Sequence, residues 1–148
     1  MITLKIKNVS KTKLELPKYA RPGDSGMDLR ADIDEPVILK PLERKLISAG
    51  IIIELPDDYE AQVRPRSGLA LKKGVTVLNT PGTIDASYRG VIGVVLVNLS
   101  NEEVTINPGN RIAQLVIARV EKARLFKVDV IMEDTTRGSG GFGSSGVN

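Results

Sequence analysis

Cysteine and histidine are both absent from the 148 residues, and tryptophan with them. Without cysteine there is no disulfide, no thiolate zinc or iron-sulfur site and no thiol nucleophile. Without histidine there is no Ser-His-Asp triad, no imidazole ligand and no imidazole base, which leaves carboxylates, lysine, tyrosine and oxygen-bound hard cations for any chemistry. Aromatic residues are scarce, two Phe and three Tyr. Long apolar runs are missing too: no uncharged stretch approaches the roughly 18 residues of a membrane helix. The stretch from Met1 to Lys13 alternates charge with apolar residues, unlike a secretory leader. The expectation is a soluble, cytoplasmic protein without a membrane partner, in which the Asn-x-Ser matches at Asn8 and Asn98 are accidental.

What the chain does have is aliphatic and β-branched: Val 15, Ile 14 and Leu 15. The length fits one domain with one core. Lys and Arg exceed Asp and Glu by 21 to 18, a net +3 that is far from a nucleic-acid-coating tail, so no stable nucleic-acid complex is expected. Short β-prone runs, bounded by Pro, Gly, Asn or Asp, fall at 2–6, 37–39, 46–55, 59–63, 75–78, 91–99, 104–106, 112–120 and 125–131. That pattern predicts an all-β sandwich or barrel. Only Leu69 to Lys73 hints at a helix, and nothing is long enough for the crossover helix of a parallel sheet.

After Ile131 the composition changes. Five of the 14 glycines and three serines crowd into the last eleven residues, with Phe142 set among them and Arg137 just before. Such backbone is expected to be mobile until a ligand orders it. Gly138, Gly140 and Gly143 spell a formal G-x-G-x-x-G, but no helix or acidic residue follows at the required distance, so a dinucleotide fingerprint is excluded. Glycine amides that can approach phosphate oxygens remain.

Four further segments can carry chemistry. In DSGMDLRA, Asp28 lies between Met27 and Leu29 and faces away from them if extended; it is either an ordinary exposed acid or a carboxylate that holds the water of a cation. In PRSGLALKKG, Arg66 offers a planar fork, Ser67 a hydroxyl and Gly68 an open amide, which suits an anion such as phosphate. GTIDASYRG lies between two β runs, 75–79 and 91–100, and is read as a β-hairpin that presents Asp85, with Tyr88 near its tip. A carboxylate so mounted can orient and deprotonate water, though Asp also serves plain Asx turns. In PGNRIAQLVI, Gln114 is the one polar side chain of an apolar run, turned either to a buried partner or to solvent.

In this order and at these spacings the five segments resemble the five motifs of the homotrimeric dUTPase family, from about Asp24 through Gly146. One departure is Ser87, where family members often carry a second acid. The resemblance implies an all-β, distorted jelly-roll or β-clip type barrel subunit, residues 1–133. It also implies a homotrimer with a swapped flexible C-terminal arm, residues 134–148, that closes a neighbouring active site. It implies hydrolysis of dUTP to dUMP and pyrophosphate, with Asp85 as base or water-positioner and Mg²⁺ held mainly by the triphosphate. Asp28 would meet that ion only through water. The substrate contacts it implies are Arg66, Ser67, Gly68 and Gln114; Asn79, Thr83, Ile84, Asp85, Tyr88 and Gly93 for base and sugar; and Arg137, Ser139, Gly140 and Phe142 from the arm. The rival readings are a dCTP deaminase-like enzyme of the same fold, a non-catalytic nucleotide-binding module and a structural jelly roll.

Overall fold

The computed structural model describes residues 2–132 and 135–141. Eleven strands and one short helix follow one another as β1 Lys5–Asn8, β2 Gly26–Arg30, β3 Val37–Leu39, β4 Arg44–Ser48, β5 Ile51–Glu54, β6 Tyr59–Arg64, α1 Ser67–Lys73, β7 Val75–Val77, β8 Gly82–Ile84, β9 Gly93–Asn98, β10 Val104–Ile106 and β11 Arg111–Arg119. Every pairing is antiparallel. The sheets run β2-β11-β6-β8 and β4-β9-β7, with the two-stranded ladders β1-β5 and β10-β3 beside them. The all-β expectation stands.

Alternation writes the core. Met27 and Leu29 on β2, Ala61 and Val63 on β6, Val75 and Val77 on β7, and Val94 and Leu96 on β9 are buried, and they meet Leu39, Ile92, Ile106, Ile112 and Leu115 in one cluster. Each fully buried Leu or Ile contributes roughly 1.5–3 kcal/mol. The single buried polar side chain among the described residues is Asn98. Its Nδ2 donates to Leu39 O at 2.9 Å and Glu102 O at 2.7 Å, and its Oδ1 accepts from Ser100 N at 2.9 Å and Ser100 Oγ at 2.8 Å. With its donors and acceptors all used, it locks the β9–β10 corner.

The N-terminal stretch is pinned by Asp32. Its carboxylate accepts from Ser10 Oγ at 2.6 Å and from Thr12 Oγ1 at 2.9 Å, with the amides of Thr12 and Lys11 behind them. Burial opposes its charge, but these four hydrogen bonds together outweigh burial and hold the carboxyl below its ordinary value.

Three elements depart from the sequence pattern. The run 46–55 breaks in two, because the chain turns at Gly50 with φ +66, where a Cβ would also press on Asp32 and Ser10 at 2.9 Å. The hairpin expected across 82–90 is a turn without a ladder: Tyr88 N–H donates to Asp85 O at 3.0 Å, yet β8 pairs with β6 while β9 pairs with β4 and β7. The expected strand at 125–131 is absent. The last ladder-like bond is Val120 N–H to Asp58 O at 2.9 Å, and beyond it Leu125, Phe126, Val130, Ile131 and Met132 stand exposed with no strand of their own chain to pair with. A β-prone run is a strand only where an edge receives it.

Candidate active site

β6 ends at Arg64, and Pro65, which has no N–H to give, closes the ladder. Arg66 is extended, φ −99 and ψ 126, and α1 starts after it without a side-chain cap. The first helical bonds run from Leu69 N and Ala70 N to Arg66 O at 3.1 and 3.0 Å, so the amides of Ser67 and Gly68 are orphan donors of the first turn. A Cβ built on Gly68 meets nothing within 4 Å. Nothing inside the chain therefore demands glycine there.

Two residues of the neighbouring strands hold this loop. Asp28 Oδ1 accepts from Arg66 Nε at 2.8 Å, and its Oδ2 accepts from Arg111 Nη1 at 3.2 Å. With Nε engaged, the guanidinium keeps its two terminal nitrogens for an anion. Gln114 lies directly across from Asp28 in the β11–β2 ladder and donates from Nε2 to Pro65 O at 2.9 Å. Its Oε1 lies over Gly26, so close that a Cβ at that position would collide with it. Gln114 thus has the internal partner that its apolar surroundings call for. Together Asp24, Ser25, Asp28, Arg66, Ser67, Gly68 and Gln114, with Lys18 at the rim, line a polar cleft of about 310 Å³.

The residues of the third segment lie elsewhere. Ile84 pairs with Ala61, so Asp85 follows beside Glu60, and the two line a separate hollow of about 300 Å³ with Tyr59 and Lys122. Six residues of extended chain part Glu60 from Arg66, on the order of 20 Å at about 3.3 Å per residue. Asp85 is exposed, and among the described residues its carboxylate accepts no hydrogen bond. The turn uses its main-chain oxygen and not an Asx bond, which leaves the acid unoccupied. Tyr88 Oη donates to Val91 O at 3.1 Å, with the ring over Gly90, where any Cβ would strike it. Thr83 is exposed on β8, Ile84 is half-buried, and Asn79 is an exposed turn residue whose amide lies beside Gly82. Gly93 opposes Ser48 on β4 and lines a third hollow of about 770 Å³ with Asp32, Leu46 and Val91.

Arg137 donates from Nε to Gly140 O at 2.9 Å within a local turn that also contains Ser139, and none of the three lines the polar cleft. Phe142 lies outside the described residues. A single chain therefore gathers Asp28, Arg66, Ser67, Gly68 and Gln114, and parts them from Asp85 and from Arg137, Ser139 and Gly140. Arg111 is the contact that the sequence pattern leaves out.

No group of three or more acidic, Cys or His residues that could hold a metal ion occurs among the described residues. Asp28, paired with two guanidinium groups, lacks the surplus charge of a direct ligand but retains acceptor sites for a metal-bound water.

Fold and cleft together define an all-β protein with a polar cleft at an arginine-bearing loop between strand and short helix. The dUTPase family model matches residues 12–146. The chain is 54% identical over 145 residues, 98% of it and 94% of the relative, to the deoxyuridine 5'-triphosphate nucleotidohydrolase of Cytophaga hutchinsonii. It is 60% identical to that of Aquifex aeolicus over 84% of this chain and 83% of the relative. A solved dUTPase of Staphylococcus bacteriophage 80alpha with bound dUpNHpp superposes with TM-score 0.87 at 29% identity, covering 99% of this chain and 100% of that one. A dUTPase of phage phi11 of S. aureus, described with a structural Mg(II) ion, shares the fold with TM-score 0.79 at 24% identity over 88% of this chain and 99% of that one. The chain belongs to the dUTPase family.

Proposed function

We propose that the chain hydrolyses dUTP to dUMP and pyrophosphate, which supplies dUMP for thymidylate synthesis and keeps uracil out of DNA. The observation that carries this reading is the cleft in which Arg66 is clamped by Asp28 beside the orphan amides of Ser67 and Gly68. Triphosphate hydrolysis asks for positioning and charge neutralisation and needs no protein nucleophile, which suits a chain without His or Cys. The substrate would be the Mg²⁺ complex, whose ion would neutralise phosphate charge, and Asp28 would hold a water of that ion. Asp85 takes a proton from a water whose oxygen attacks the α-phosphorus, and the bond from that phosphorus to the bridging oxygen breaks to release pyrophosphate.

Asp85 and Arg66 are too far apart in one chain to serve one substrate, so each site draws them from different copies. We read the assembly as a homotrimer with three composite sites. Main-chain groups of Thr83, Ile84, Asp85 and Gly93, with Asn79, read the uracil edge and leave no room for a 5-methyl group. Tyr88, fixed on its own turn, crowds a ribose 2′-hydroxyl. The arm, residues 134–148, brings Arg137, Ser139 and Gly140 to the phosphates and Phe142 over the base, and excludes water as it closes.

Pyrophosphate release measured on dUTP, dTTP, dCTP and UTP, with and without Mg²⁺, tests the reading. Turnover confined to dUTP and dependent on Mg²⁺ is expected. Ammonia from dCTP, or no turnover of any of the four, would overturn it.

A further inference from the structure

We propose that Arg111, which lies outside the cleft lining, is a positioning residue: through Asp28 it fixes the plane of the Arg66 guanidinium for the phosphates. The inference rests on the reading of the cleft as a triphosphate site. Its geometry begins with a strand defect. Gln114 and Asp28 are directly opposed, and in a regular strand the residue three before Gln114 would point to the other face. Between Arg111 and Ala113 the register shifts, because Arg111 opposes Arg30 while Ala113 opposes Leu29, two steps on β11 against one on β2. The extra residue is Ile112, and it is buried next to a buried Ala113, as a bulge requires. The bulge turns Arg111 onto the side of Asp28, where Nη1 meets Oδ2 at 3.2 Å.

The consequence is a chain of two ion pairs with a free end. Asp28 has its Oδ2 held by Arg111 and its Oδ1 on Arg66 Nε, so the carboxylate cannot rotate away without breaking one bond. Two cations about one anion also leave the face net positive toward a polyanion. Arg111 has half of its side chain exposed, and an ion pair of that kind adds little to fold stability. Its effect falls on the geometry of Arg66.

The test is a double-mutant cycle of Arg111→Gln and Arg66→Gln, read both by dUTP turnover and by calorimetric binding of inorganic tripolyphosphate, with thermal melts on every variant. Loss of a charge-assisted bond predicts a fall of roughly tenfold in kcat/KM and in tripolyphosphate affinity for Arg111→Gln, with an unchanged melt. On the Arg66→Gln background the same change should cost less than about twofold, because the group it positions is gone. Arg111→Lys, which keeps the charge at one point, should recover part of the loss. Additive effects on that background, or wild-type binding and turnover in Arg111→Gln, would overturn the proposal. A wild-type chain that binds tripolyphosphate with this coupling but leaves dUTP intact would refute the dUTPase reading and leave the role of Arg111 standing.

Discussion

Asp85 is the residue whose surroundings say most with least: an exposed acid on a turn closed by its own main-chain oxygen, with the carboxylate left unused. A structural Asp at such a position would accept a local amide. Asp85→Asn keeps the turn and removes the base, so pyrophosphate release should drop by roughly 10²- to 10⁴-fold while dUpNHpp affinity, measured by calorimetry, holds. Near-normal turnover would strip Asp85 of that role. At this scale the sequence was informative where period two holds. Asp28 faces away from Met27 and Leu29 as their alternation implies, whereas Gln114, which alternation alone turns to solvent, donates to Pro65 O instead. Arg111 was illegible for the same reason: an even count of faces is broken by a bulge that no residue type announces.

At the scale of elements, β11 organises the cleft, since its bulge aims Arg111 and its next turned-in side chain, Gln114, ties Pro65 to the sheet. Gly26 on β2 is the complement, because only a residue without a Cβ lets the Gln114 amide lie across it. Gly26→Ala should push that flexible amide off Pro65 and lower kcat/KM by roughly tenfold, the cost of one well-placed hydrogen bond. The melting temperature should move by only a few degrees at most, since a side-chain end and not backbone must give way. A large loss of stability with normal activity would assign Gly26 to folding alone. Elements also set the limit of sequence reading. The β-prone flanks of 82–90 were plain, but which strand each flank joins depends on edges contributed by β6 and β4, far off in the chain.

At the scale of the whole molecule, the proposed homotrimer accounts for two features of the single chain. Its cleft and its candidate base are parted, and its segment from Val120 to Met132 carries Leu125, Phe126, Val130 and Ile131 into solvent. Exposed apolar residues in such a row are the mark of a surface that another chain covers. Among the described residues beyond them, 135–141, none is buried. Removal of residues 137–148 should leave the melt and the sedimentation coefficient of the assembly unchanged, and abolish most turnover, because closure and not folding is lost. Retained turnover would take the arm out of the reaction.

The length of β6 that parts Arg66 from the neighbourhood of Asp85, on the order of 20 Å, has a genetic corollary. Two crippled proteins, one Arg66→Gln and one Asp85→Asn, should rescue each other when unfolded together and renatured as mixed assemblies. A site that borrows each residue from a different copy is intact whenever an Asp85→Asn chain supplies its arginine and an Arg66→Gln chain its acid. For an equal mixture that is about one site in four. Recovery near a quarter of normal turnover, far above either parent alone, would be intersubunit complementation written in the register of a single strand.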